Sequence, residues 1–171
     1  MAISKANHIK SIFDLLTDSG VSYFVLNGYE VIPSNVDSDI DVAVESCDKF
    51  YEILAKYAQL TNNVSIVQVL VHSPYAQHVF LSVDDNVVSF DLYEKYLVKG
   101  RGVIDFSEHF DDCRDYKKFY IIPHKLELEY QLIKRSVKND WKEKISNIRL
   151  ILDINESVEG ANNIIKKCIF D

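Results

Sequence analysis

Residues 39–44 read Asp-Ile-Asp-Val-Ala-Val, and no other stretch restricts the fold of this chain so tightly. Side chains of a β-strand alternate between two faces. Ile40, Val42 and Val44 therefore share one face, and Asp39, Asp41 and Ala43 share the other. The first set asks for an apolar cover. The second must stand on an open face, with two carboxylates about 7 Å apart along the strand. The pattern recurs over 87–93, where Val88, Phe90 and Leu92 lie on one face and Ser89, Asp91 and Tyr93 on the other. If the two strands lie in one sheet with the same face covered, Asp91 joins Asp39 and Asp41.

The elements around these strands are legible by period. Ala6, Ile9, Ile12, Phe13 and Leu16 recur at helical spacing over 4–19, and Gly20 follows as a stop. The run 21–26 is a short apolar strand that ends at the turn signal Asn27-Gly28. Ser46 is placed to cap a helix over 47–59 with Phe50, Ile53, Leu54 and Tyr57 on one side. Residues 64–71 are rich in β-branched side chains. Two further apolar runs flank Asp84-Asp85-Asn86, so 78–93 reads as a hairpin whose turn the aspartates shape. Residues 94–118 carry little pattern and read as an irregular connection, with one more short strand at 118–122, stopped by Pro123. The tail turns helical. Leu126, Tyr130, Ile133 and Val137 form one stripe, Trp141, Ile145, Ile148 and Leu152 a second, and Val158, Ala161, Ile165 and Cys168 a third.

Composition narrows the function classes. The 171 residues fit one domain, or one domain with a small appendage, and a 47% apolar fraction supplies a core. The net charge of −7 argues against a nucleic-acid polymer as substrate, because the basic field that phosphate neutralisation needs is missing. Cys47, Cys113 and Cys168 are widely spaced and read as inert thiols rather than a zinc ribbon or disulfide framework. The first ten residues lack the apolar core of a secretory signal, and no run approaches the ~18 apolar residues of a membrane span. A reducing, cytoplasmic setting without membrane contact is the expectation.

Three carboxylates on one face repel one another unless a cation lies among them. A hard cation with oxygen ligands, Mg²⁺ or Mn²⁺, suits Asp39, Asp41 and Asp91. Asp37 reads as a turn residue. His72 and His78 flank Ser-Pro-Tyr-Ala-Gln, a loop signal, and read as exposed polar or strand-edge residues before substrate contacts. His109 and His124 have no partner at ligand spacing. Lys134-Arg135 reads as a solvated helix face, and Lys99-Gly100-Arg101-Gly102 equally as a plain turn or a phosphate-contacting loop. Tyr29 and Tyr93 either stack on a base or sugar or pack at a rim. Neither a Walker A motif nor GxGxxG is present, and GxSxG is missing too, which disfavours P-loop, Rossmann and serine-hydrolase readings.

Gly28, then Ser38-Asp39-Ile40-Asp41, then Asp91 resemble the nucleotidyltransferase superfamily with the polymerase-beta-like fold. The resemblance covers roughly residues 5–95. It implies a helix, a strand, a Gly-Ser turn and helix, then a strand bearing two Asp, with a third carboxylate on a neighbouring strand. One departure is Gly28-Tyr29 in place of Gly-Ser, where the family's serine contacts the nucleotide phosphates. The Gly-Tyr-Glu turn ahead of the DxD motif is similar to bacterial members, some associated with surface-polysaccharide assembly. The resemblance implies Asp39, Asp41 and Asp91 as catalytic metal ligands for Mg²⁺ (or Mn²⁺), and Gly28, Tyr29 and Ser38 as substrate-binding residues.

The expectation is an α/β (α+β) chain: a mixed β-sheet of about five strands flanked by helices, nucleotidyltransferase-like over 1–122. A helical C-terminal segment over 123–171 packs on it or closes the cleft. The activity implied is transfer of a nucleoside monophosphate from an NTP to a small hydroxyl or phosphate acceptor, such as a sugar. The alternative is a degenerate member of the fold, a binding or regulatory protein of antitoxin-like type.

Overall fold

The N-terminal stripe folds as expected. Helix α1 (Lys5–Asp18) starts where the Ser4 side chain accepts from the Asn7 backbone N–H, and buries Ile9, Ile12, Phe13 and Leu16. Gly20 follows at φ 66, a left-handed conformation that favours glycine. The computed structural model describes residues 4–36 and 39–138. Asp37, Ser38 and the second and third tail stripes lie outside the described residues.

Strand β1 (Tyr23–Val25) leads into a 3₁₀ turn at Tyr29–Val31, and β2 (Ile40–Val44) carries the paired aspartates. Helix α2 (Cys47–Leu60) is capped by the Ser46 side chain, which accepts from the Lys49 N–H, and it buries Phe50, Ile53, Leu54 and Tyr57. Strands β3 (Val64–Ser73), β4 (Ala76–Val83) and β5 (Asn86–Tyr93) follow as a meander. Their connections are two-residue loops at Pro74-Tyr75 and Asp84-Asp85, with Ser73 opposite Ala76 and Val83 opposite Asn86.

Residues 94–118 differ from the irregular connection expected. β6 (Lys95–Val98) and β7 (Arg101–Asp105) form a separate antiparallel hairpin, followed by two 3₁₀ turns at Phe106–Glu108 and Phe110–Asp112. The hairpin turns on Lys99 and Gly100, both at positive φ (51° and 80°). Two consecutive positive-φ residues match the twist of the flanking strands. Of Lys99-Gly100-Arg101-Gly102, the first two residues make the hairpin turn and the last two begin β7. β8 (Arg114–Tyr116) and β9 (Phe119–Ile121) close the element list of this part of the chain.

Among the described residues, the main sheet has seven strands, two more than expected, in the order β3-β4-β5-β2-β1-β9-β8. It is mixed: β2 runs parallel to β5 and β1 parallel to β9, while the other pairs are antiparallel. One face is apolar along its length. Val25, Val42, Val44, Val79, Leu81, Phe90 and Leu92 join Ile12, Phe13, Phe50 and Leu54 of the two helices in one cluster. Each such side chain, fully buried, contributes about 1.5–3 kcal/mol relative to exposure. Phe13 ties this cluster together, with ring centroids 5.0 Å from Phe119, 5.7 Å from Tyr23 and 6.2 Å from Phe90. His8 is a satisfied core histidine, 2.8 Å from the Tyr57 hydroxyl and 3.3 Å from Asp84.

The chain divides into two units, residues 1–121 and 122–171. In the second, α3 (His124–Lys138) buries Leu126, Tyr130 and Ile133, while Val137 is exposed. Lys134 and Arg135 do not form the solvated face expected. Both are buried, with Lys134 donating to the Tyr130 hydroxyl (3.0 Å) and the Arg135 guanidinium to the Gln131 side-chain Oε1 (3.2 Å). Among the described residues, no helix is long and apolar enough to cross a membrane.

Candidate functional site

The register of the sheet decides which polar side chains meet. Asp41 lies opposite Asp91 across the parallel β2–β5 pair, and Asp91 lies opposite His78 across the antiparallel β5–β4 pair. One row across three strands thus reads Asp41, Asp91, His78. Asp39 stands two residues before Asp41 on the same face, since Ile40 between them is buried against the helices. Alternation fixes the face on which these side chains stand, and register fixes their neighbours. Phe90 and Leu92 enter the helix-side core, so Ser89, Asp91 and Tyr93 turn to the far face.

Each carboxylate is held by a neutral donor. Ser89 Oγ donates to Asp39 Oδ1 at 2.5 Å, and the Tyr93 hydroxyl donates to Asp91 Oδ2 at 2.7 Å. Asn27 Nδ2 donates to Asp41 Oδ2, and the Leu26 N–H to the Asp41 carbonyl at 2.9 Å. The turn Asn27-Gly28 is thereby fastened beside the DxD strand. Burial, then the negative charges of Asp41 and Asp91, push the Tyr93 hydroxyl well above its ordinary range. It keeps its proton and serves as a fixed donor to Asp91. His78 Nε2 stands 3.5 Å from Asp39 Oδ1.

The substrate-side residues are placed less uniformly. Gly28 adopts φ 68 with open space where a Cβ would project, so the backbone at the turn is accessible. Tyr29 packs edge-on to Tyr116, with ring centroids 5.4 Å apart, and the Arg114 guanidinium lies 5.8 Å from its ring. Its aromatic body is part of the packing beside the core. Ser38 lies outside the described residues. A groove of about 370 Å³ lined by Ser22, Tyr23, Phe110, Cys113 and Tyr120 contains none of the three aspartates. Among the described residues, the candidate site is a row of polar side chains on the far face of the sheet.

Asn27 and Ser89 join the site although the sequence reading gives them no role in it. His78, which reads from sequence as an exposed or strand-edge residue before a substrate contact, lies in the same row. Ser89 had a signal, the same alternation phase as Asp91. His78 had a weaker one, its position relative to a two-residue turn. Cys47 is buried, and burial followed by the charges of Glu94 and Asp48 pushes its thiol up to about 12, so it is inert as a nucleophile.

No family model matches this chain, and no curated protein does. Among solved structures it is similar to a crystal structure from H. pylori whose name assigns it provisionally to the nucleotidyltransferases. Identity is 8%, the match covers 99% of this chain and 93% of that one, and the TM-score is 0.46. A likeness at that level carries no argument about activity. The reading below rests on the residues of this chain.

Proposed function

We propose that this chain is a divalent-metal-dependent nucleotidyltransferase. It moves a nucleoside monophosphate from an NTP to a small hydroxyl or phosphate acceptor, such as a sugar. The observation that supports the reading is the register of Asp41 with Asp91 on adjacent parallel strands, with Asp39 on the same face. Such an all-oxygen donor set fits Mg²⁺ or Mn²⁺. When bound by Asp39, Asp41 and Asp91, the cation supplies charge neutralisation for the triphosphate and lowers the pKa of an acceptor hydroxyl.

The other residues position. Ser89, Asn27 and Tyr93 hold the three carboxylates in place, which lowers the reorganisation needed during reaction. Gly28 lets phosphate approach the backbone, Ser38 offers a hydroxyl, and Tyr29 forms a wall for base or sugar. One observation favours the rival, a fold member that binds without chemistry. The Tyr29 ring is engaged with Tyr116 and Arg114, where the family's serine would face phosphate.

Thermal melts with Mg²⁺ and each NTP separate the two, followed by a pyrophosphate-release screen over sugar and sugar-phosphate acceptors. The expected result is a rise in melting temperature that needs both metal and nucleotide. Asp41→Asn should remove most of that rise with the fold intact. A wild-type chain that responds to no NTP at millimolar concentration, with either cation, overturns the catalytic reading.

A further inference from the structure

Two histidines stand beside Asp91 that the all-carboxylate reading does not use. His72 lies on β3, His78 on β4 and Asp91 on β5, three consecutive strands at one edge of the sheet. Each offers a ligand atom, and these atoms lie within 4.8 Å of one another. Ligands at tetrahedral zinc distances sit about 3.4 Å apart, so closure needs little more than an ångström of side-chain movement. His72 is exposed and can supply it.

His78 and Asp91 are half-buried, while His72 is exposed on the edge strand. His78 Nε2 is buried and makes no hydrogen bond among the described residues, although Asp39 Oδ1 is 3.5 Å away. A buried polar atom left without a partner is costly, so the position calls for one. The ring stacks on Phe80 with centroids 4.1 Å apart, which fixes its plane. The His72 and His78 rings lie 6.2 Å apart, centroid to centroid. Asp91 is oriented through its Oδ2 by the Tyr93 hydroxyl, an outer partner of the kind that metal-ligating carboxylates carry.

We propose that His72, His78 and Asp91 bind a borderline divalent cation of the zinc class. Two imidazoles and one carboxylate prefer zinc, cobalt or nickel to magnesium, which seeks oxygen ligands and keeps its water. Three protein ligands leave a fourth position for water or an oxygen of a bound molecule, as at an exchangeable or catalytic centre. The cation would stand beside Asp39 and share Asp91 with the carboxylate row. This inference goes beyond the transferase reading and does not depend on it, because it needs neither Asp41 nor any nucleotide.

The test is Co²⁺ titration of the untagged, metal-stripped chain, followed by visible absorption and by equilibrium dialysis, with Zn²⁺ and Mg²⁺ as competitors. The expected result is one Co²⁺ per chain at micromolar or tighter affinity, displaced by Zn²⁺ and not by a large excess of Mg²⁺. His72→Ala and His78→Gln should each weaken binding by at least about tenfold. His72 is exposed, so its variant keeps the test valid should His78→Gln fail to fold. Asp41→Asn should leave Co²⁺ affinity within about threefold while removing the Mg²⁺-nucleotide response, which tells failure of one proposal from failure of the other. Absence of stoichiometric Co²⁺ binding, undiminished binding in a folded histidine variant, or equal competition by Mg²⁺ overturns the site.

Discussion

Phe90 and Asp91 are adjacent in the chain and belong to different regions. Phe90 is fully buried on the helix side of the sheet, with Phe13 at 6.2 Å and Phe50 at 5.6 Å between ring centroids. Asp91 lies on the far side in a row with Asp41 and His78. The far side is not uniformly polar. At β1 it carries Phe24, which packs against Phe106 and Phe110 from the two 3₁₀ turns. At β2, β5 and β4 it carries Asp39, Ser89, Asp91 and His78. One strand can thus hold stability on one side and chemistry on the other, because alternation separates the two by a single residue. Like charges gathered on one face cost stability, and the apolar face offsets that cost.

The largest effect should come from the helix side. Phe90→Ala leaves a cavity among packed rings and should cost about 3–5 kcal/mol, read by urea unfolding of the whole chain. Asp91→Asn, one residue further, should change unfolding free energy by about 1 kcal/mol or less, because it removes a charge beside other carboxylates and keeps an acceptor for Tyr93. Its effect should fall on activity instead, a loss on the order of a hundredfold or more. If Asp91→Asn unfolds the chain as Phe90→Ala does, the separation of the two faces is wrong.

A middle-sized effect concerns the turn beside the site. Tyr29→Phe keeps the ring against Tyr116 and Arg114 and removes only the hydroxyl. Turnover should stay within a few-fold of wild type. A loss as large as that of Asp91→Asn would move Tyr29 from the wall of the site to its chemistry.

Much of this arrangement was legible because alternation and helical period are strong signals. Asp39, Asp41 and Asp91 were assigned to one face from phase alone, and α1, α2 and the β4–β5 hairpin followed from stripes and turn residues. What escaped depended on contacts distant in sequence or on backbone that composition does not announce. The β6–β7 hairpin turns on Lys99 at φ 51, a conformation that a lysine does not advertise. The reading of His72 as an exposed strand-edge residue holds, since it is exposed on the edge strand β3. What escapes the sequence is the register of β3 on β4, which brings it near His78 and Asp91. Lys134 and Arg135 looked solvated because charge is the commoner sign of exposure, yet Tyr130 and Gln131, four residues earlier on the same helix, accept from them.

The smallest expected effect provides a control outside both faces. Asp105 at the end of β7 accepts from Lys95 of β6 at 2.6 Å, and from the Ser107 hydroxyl at 2.7 Å. The Lys95 hydrogen bond first, then Ser107, lower the Asp105 carboxyl from 3.8 to about 2. A carboxylate whose folded value is depressed adds stability that is full above its unfolded value. That stability fades as pH falls from about 4 towards about 2. Both partners are more than a third exposed, so solvent and salt screen the pair and the contribution is small. Lys95→Met should raise the Asp105 value towards 3.8, followed by carboxyl NMR titration, and flatten the pH dependence of melting in that window. It should leave the metal response of the far face unchanged, since neither Lys95 nor Asp105 belongs to that row. A change in that response would tie the β6–β7 hairpin to the site and erase the distinction between a stitching carboxylate and a ligating one.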